Sequence, residues 1–195
     1  IHPDDFYTSS KAGALRAVVY PRLRYHFQFQ NELNLFAEVD HHVIYSINVY
    51  GNEQAIRFDH VCNLYAPGAL NGCYDGLPHP EPVEETRTAD GHWSVNGHPN
   101  RVISVEEKAL DIFASLLDAE HTPASSASLA RLHAASQLVA LKKIAEYPRK
   151  ISSLNDGMIS TPFWDETNSR KDGTIKRDTR FSGHLILSGP HFHVG

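Results

Sequence analysis

The sequence predicts an α+β fold: a small sheet from the first third, a helical hairpin, and a short C-terminal strand or hairpin. Three observations carry this. The first third alternates aromatic with polar residues or runs in β-branched ones, residues 101–148 repeat apolar side chains at helical spacing, and a proline- and glycine-dense stretch lies between. The alternative is α/β, the edge of a Rossmann-like sheet, which holds if the N-terminal helix crosses between parallel strands.

Each element has its own reason. Ser9 and Ser10 supply a cap for a short helix that runs to Tyr20 and is stopped by Pro21. Residues 25–33, YHFQFQNEL, alternate aromatic and polar side chains as a half-buried strand does. Residues 43–50, VIYSINVY, are β-branched and aromatic, and Gly51-Asn52 then supplies a turn. Residues 55–64, AIRFDHVCNL, alternate again, so residues 1–65 form a strand-rich segment, stable only as part of a sheet. Residues 66–100 hold five of the eleven prolines and five of the twelve glycines, which predicts an irregular loop or flap outside the core. In residues 101–148, Ser104 opens a helix carried by Ala109, Leu110, Ile112, Phe113, Leu116 and Leu117. Ser125 or Ser126 caps a second helix, which runs from Leu129 to Tyr147 and is blocked by Pro148. Residues 149–195 are mildly basic, with seven Arg and Lys against five Asp and Glu. They contain a Lys171-Asp172-Gly173-Thr174 turn and a short apolar strand at 184–188.

Composition excludes several function classes. At 195 residues the chain has the length of one domain, for which ~150 residues is typical. Its 41% hydrophobic content excludes a wholly disordered chain. No run approaches the ~20 apolar residues of a membrane-spanning helix, so no membrane partner is expected. A net charge of −5 excludes a polybasic nucleic-acid coat. Cys62 and Cys73 are too few for a disulfide framework and point to a reduced, cytoplasmic setting. The chain starts Ile1-His2-Pro3 without an initiator methionine and stops just after an apolar run, so a piece cut from a longer protein is expected.

Thirteen histidines invite a metal-enzyme reading. His41 and His42 are adjacent, and on a strand adjacent side chains point to opposite faces, so they would not chelate one ion together. His191 and His193 would share a strand face, but no third ligand sits at a recognisable spacing. There is no His-Glu-x-x-His or Cys-x-x-Cys either. The histidines are therefore read as ordinary surface or core residues, and no metal ligand is assigned. No Gly-x-Ser-x-Gly elbow, Walker loop or Gly-x-Gly-x-x-Gly is present, so no catalytic residue is assigned. The most informative piece is residues 164–181, WDETNSRKDGTIKRDTRF, whose bases surround a turn between aromatics. Phosphate contacts need such side chains on an ordered element. Against that stands a solvated hairpin in which Asp165, Asp172 and Asp178 neutralise the bases.

Several sequence blocks, taken in order, carry a family likeness. They are residues 20–33 (YPRLRYHFQFQNEL) with Leu35-Phe36 and YSINVYG, then Trp164-Asp165-Glu166-Thr167-Asn168, Lys171-Asp172-Gly173-Thr174-Ile175, Arg180-Phe181, and Leu187-Ser188-Gly189-Pro190-His191-Phe192. This series resembles large bacterial adenine-specific DNA methyltransferases of restriction–modification systems, including type IIG-like enzymes fused to an endonuclease. The resemblance implies a Rossmann-like parent core that binds S-adenosylmethionine and methylates a flipped adenine in an Asn/Asp-Pro-Pro-Tyr/Phe pocket. That motif and a glycine-rich cofactor loop are absent from these residues, and similar proteins carry them upstream of the matched region.

The chain is thus expected to be a fragment downstream of the catalytic motif, inactive by itself and without a cofactor of its own. Its expected partners are the rest of the methyltransferase chain and, through it, double-stranded DNA. Arg170, Lys171, Lys176, Arg177 and Arg180 are the candidate DNA-backbone contacts. A structural or interaction module with no DNA contact is the competing class. A stand-alone histidine metalloenzyme, which needs three converging ligands, is the third.

Overall fold

The computed structural model describes residues 1–148 and 166–174. The chain divides into two compact units, Ile1–Pro148 and Arg149–Gly195. The first unit contains β1 (His2–Pro3), α1 (Asp5–Thr8), α2 (Gly13–Val19), β2 (Leu23–Gln30), β3 (Ile44–Tyr50), β4 (Arg57–Leu64), α3 (Ala69–Tyr74), β5 (Ile103–Glu106), α4 (Glu107–Leu117) and α5 (Ala135–Ala145). The fold is α+β, with a mixed sheet in the order β1-β3-β2-β4-β5.

The centre of the sheet is β2, antiparallel to β3 and parallel to β4. After β3 the chain crosses the start of β2 in a short loop, where Gly51 and Gln54 donate to the Arg22 and Pro21 carbonyls at 2.7 and 3.1 Å. The parallel pair is therefore made by an excursion through another strand. No helix crosses between β2 and β4, so the Rossmann-edge alternative does not hold.

Each face of this sheet carries a buried cluster, although Tyr25 and Val49 remain exposed at one end of the first face. Alternation along β2 sends Tyr25, Phe27 and Phe29 to one face, opposite Val49, Ile47 and Tyr45 of β3. There α3 joins a buried cluster of Phe29, Tyr45, Val61, Leu64, Ala69 and Cys73. The other face carries His26 beside His60, and Phe58 beside Val105. It packs against Tyr7, Tyr20, Leu110, Phe113 and Leu129. Arg16 and Arg101, both buried, tie the connections together. Arg16 donates to the carbonyls of Phe6, Ser9 and Ser126 at 2.9, 2.6 and 3.0 Å. Arg101 donates to those of Asn96, Cys62 and Asn63 at 2.7, 2.9 and 3.0 Å. Carbonyls outside the ladder are satisfied in this way.

Two expectations are corrected. Residues 66–100 do not lie outside the core, because α3 falls within them and buries Ala69 and Cys73, while Ser94 and His98 are also buried. Gly97 rests directly on α3, where a Cβ would collide with the Ala69 carbonyl. The second helix of the expected hairpin does not begin near Leu129. Residues 127–132 are non-helical and almost entirely buried, and the Leu129 amide donates to the Tyr7 carbonyl at 2.8 Å. Ser128 pins this segment, its amide and hydroxyl donating to the Asp118 carboxylate at 2.7 and 2.6 Å. The Gln137 side chain accepts from the His133 amide at 2.6 Å and opens α5. Apolar periodicity over so short a run does not separate a buried extended segment from helix.

Among the described residues no helix is long and apolar enough to cross a membrane, and both cysteines are free. The described part of the second unit is α6 (Glu166–Lys171) and the turn after it, in which Gly173 has φ 81°. The expected strand at 184–188 lies outside the described residues.

Candidate functional site

The densest chemistry in the first unit is a buried line of polar side chains. β1 leads into Asp4, β2 supplies His26, and β4 supplies His60 and Cys62. All four are at most 1% exposed. Asp4 Oδ1 lies 3.0 Å from His26 Nε2, and His26 Nδ1 lies 2.8 Å from His60 Nδ1. His60 Nε2 is 3.0 Å from the Ala130 carbonyl and 3.1 Å from Cys62 Sγ. The second carboxylate oxygen of Asp4 meets Arg131 Nη2 at 3.3 Å. Tyr7 closes the side, its ring edge-on to His26 at 4.3 Å and its hydroxyl donating to Asn48 Oδ1 at 2.6 Å.

The direction of the hydrogen bonds follows from its end point. The Ala130 carbonyl only accepts, so His60 Nε2 donates and His60 Nδ1 accepts. His26 Nδ1 therefore donates, which leaves one proton held between His26 Nε2 and Asp4 Oδ1. Burial pushes the Asp4 carboxyl up, but the His26 hydrogen bond and the nearby His26 and Arg131 charges outweigh it, so the group sits below its ordinary value. Burial pulls His26 below the ordinary imidazole value while the hydrogen bond and charge of Asp4 pull it back up, so the shared proton belongs to the Asp4–His26 pair and not to either group alone. Burial, with the repulsion of His26, pushes His60 down to about 3.

A Cys–His contact of 3.1 Å is the spacing of an activated thiol, and Cys62 has to be weighed as a nucleophile. Burial pushes its thiol up and so favours the neutral, unreactive form. At 1% exposure or less, these side chains spend their polar atoms on one another, as the members of a core network do. An open cleft lined by Leu117, Ala130, Arg131, Leu132 and Leu141 lies beyond its outer end. The guanidinium of Arg131 already faces Asp4 there.

Of the sequence-predicted contact residues, Arg170 and Lys171 are exposed in the last turn of α6. Lys176, Arg177 and Arg180 lie outside the described residues, as do His191 and His193. Asp172 is exposed in the turn after α6, and Asp165 and Asp178, the other acids of the expected hairpin, lie outside the described residues. For Asp172 the hydrogen-bond partner is local. Its Oδ1 accepts from the Thr174 amide at 2.9 Å, and hydrogen bonds from Thr174 hold its carboxyl below the ordinary value.

His41 and His42 need a further correction. They occupy no strand but the middle of a turn closed by the Val43 amide on the Asp40 carbonyl at 3.0 Å. Their rings lie 3.8 Å apart, and they converge with Glu32. Alternation applies to a pleated strand, and a reversing chain does not obey it.

No protein-family model, curated protein or solved structure matches the chain.

The buried line has no signature in sequence spacing. Asp4, His26, His60 and Ala130 are drawn from widely separated positions, and only the sheet register His26↔His60 brings the rings together. The available signal was the polar phase of the alternation in 25–33, which normally marks a solvent face. Here a helical layer covers that face, so His26 and Gln28 are buried, His26 between Asp4 and His60 and Gln28 accepting from the Asn63 amide at 2.9 Å.

Proposed function

We propose that the chain is a non-catalytic module of a bacterial adenine-specific DNA methyltransferase of a restriction–modification system. In this reading the first unit gives structural support, and Arg170, Lys171, Lys176, Arg177 and Arg180 contact the DNA backbone. S-adenosylmethionine and the methyl-transfer site belong to the remainder of the parent enzyme. The family assignment rests on the ordered sequence blocks. The observation that carries the non-catalytic role is the enclosure of Asp4, His26, His60 and Cys62, whose polar atoms are engaged with one another away from solvent. Exposure of Arg170 and Lys171 on α6 supports the backbone contact.

Two measurements test the reading. Incubated with duplex DNA and labelled S-adenosylmethionine, the 195-residue chain transfers no methyl group, and transfer would overturn the fragment assignment. In the parent enzyme, Arg170→Ala with Lys171→Ala weakens binding to all sequences alike. It also flattens the salt dependence, by about 0.9 in log–log slope for each phosphate no longer neutralised. An unchanged slope would remove DNA contact and leave the support role alone.

A further inference from the structure

We propose that Glu32, His41 and His42 form a surface site for a divalent transition-metal ion of the zinc, cobalt or nickel type. The proposal is independent of the methyltransferase reading. One donor atom from each of the three side chains lies within 4.8 Å of the other two. Donors on one tetrahedral zinc sit about 3.3 Å apart, from Zn–N and Zn–O bonds of about 2.0–2.1 Å. His42 Nδ1 and Glu32 Oε1 stand at that spacing, 3.1 Å, as a hydrogen bond whose proton the ion would displace. The His41 ring is exposed, and a change of side-chain rotamer closes the remainder.

The loop is built to hold this geometry. Asn31, fully buried at the end of β2, donates through Nδ2 to the Phe36 and Val39 carbonyls, both at 2.9 Å. Its Oδ1 accepts from the Phe36 amide at 2.9 Å. Asp40 Oδ1 accepts from the His42 amide at 2.8 Å, which fixes the turn that places both imidazoles side by side. Glu32 is the anchored ligand. Its side chain is 11% exposed against 68% for His42, and Gln30 Nε2 donates to its Oε1 at 3.0 Å. Gln30, hydrogen-bonded to the ligating carboxylate, is the outer-shell group that orients it.

The donor set selects the ion. Two imidazoles and one carboxylate suit zinc and its neighbours, whereas calcium and magnesium take oxygen ligands. Three protein ligands leave a fourth position for water or an external donor. Other histidine contacts lack this freedom. His98 lies near His79, but its Nε2 is occupied by the Glu81 carbonyl at 2.9 Å and its Nδ1 by the Asn100 amide at 3.0 Å.

Calorimetric titration of the full chain with zinc chloride tests the site, with cobalt chloride absorption as a second readout of coordination. One zinc per chain is expected, and His41→Ala or His42→Ala should each lower affinity at least about tenfold. Gln30→Ala, which leaves all three ligands in place, should cost about tenfold. Circular dichroism of each variant separates lost ligation from lost fold. His191→Ala with His193→Ala should leave the binding unchanged. Absence of zinc binding, or binding that survives loss of both His41 and His42 and follows His191 and His193 instead, would overturn the proposal.

Discussion

His26 and His60 face each other across β2 and β4 at 2.8 Å with no exposure to water, whereas His41 and His42 touch in a surface turn with their rings 3.8 Å apart. Both are imidazole pairs next to a carboxylate, Asp4 in the first case and Glu32 in the second. In the buried pair every ring nitrogen has a fixed partner, so the rings hold strands together and have nothing left to offer a ligand. In the surface pair the His42 contact with Glu32 is a hydrogen bond at an exposed edge, so an ion that takes this nitrogen displaces its proton to water. Burial, more than residue type, separates a structural histidine from one that can ligate.

The largest effect should come from breaking the buried line. Asp4→Ala leaves the His26 and Arg131 donors facing a cavity and should cost about 3 kcal/mol by urea denaturation. A cost under about 1 kcal/mol would mean that the line is not a structural element. Next comes pH. The folded pKa of His60, about 3, lies below the ordinary 6.5, so the unfolded chain binds the extra proton between those values. Stability is then fully present above about pH 6.5 and falls toward pH 3, by about 1.4 kcal/mol per pH unit for that proton. Asp4, also lowered, adds a loss of the same sign below about pH 4. Denaturation curves in His60→Gln should show a shallower acid limb, and an unchanged limb would remove His60 from the account.

Smaller effects sharpen the contrast. Tyr7→Phe deletes the hydroxyl donated to Asn48 and should cost about 1 kcal/mol in the same denaturation assay. His41→Ala, on the surface, should change stability by no more than about 0.5 kcal/mol while lowering zinc affinity at least about tenfold. A larger loss would show that the surface turn is itself part of the core support.

The same contrast marks what was legible in the sequence. Local pattern identified β2, β3 and β4, because alternation and β-branching are properties of neighbouring residues. It also identified the body of α4, whose apolar face recurs over three turns, but not its start, because Ser104, expected to open the helix, lies in β5. It missed α3, since a short helix of Ala, Leu, Asn, Gly, Cys and Tyr owes its existence to packing against Gly97 and the sheet. It extended α5 too far back because Leu129 and Leu132 are buried as a non-helical segment held by Ser128 and Tyr7. The buried line depends on register, and the surface trio depends on a turn geometry set by Asn31 and Asp40. Neither leaves a fixed spacing to read.

The most direct test follows the ring nitrogens of both pairs in one experiment, by imidazole ¹⁵N NMR of the full chain during a zinc titration. The nitrogens of His41 and His42 should shift together to a plateau at one zinc per chain, while those of His26 and His60 stay fixed. Zinc-dependent shifts at His26 or His60, or none at His41 and His42, would contradict the division of the two pairs into a structural one and a ligating one.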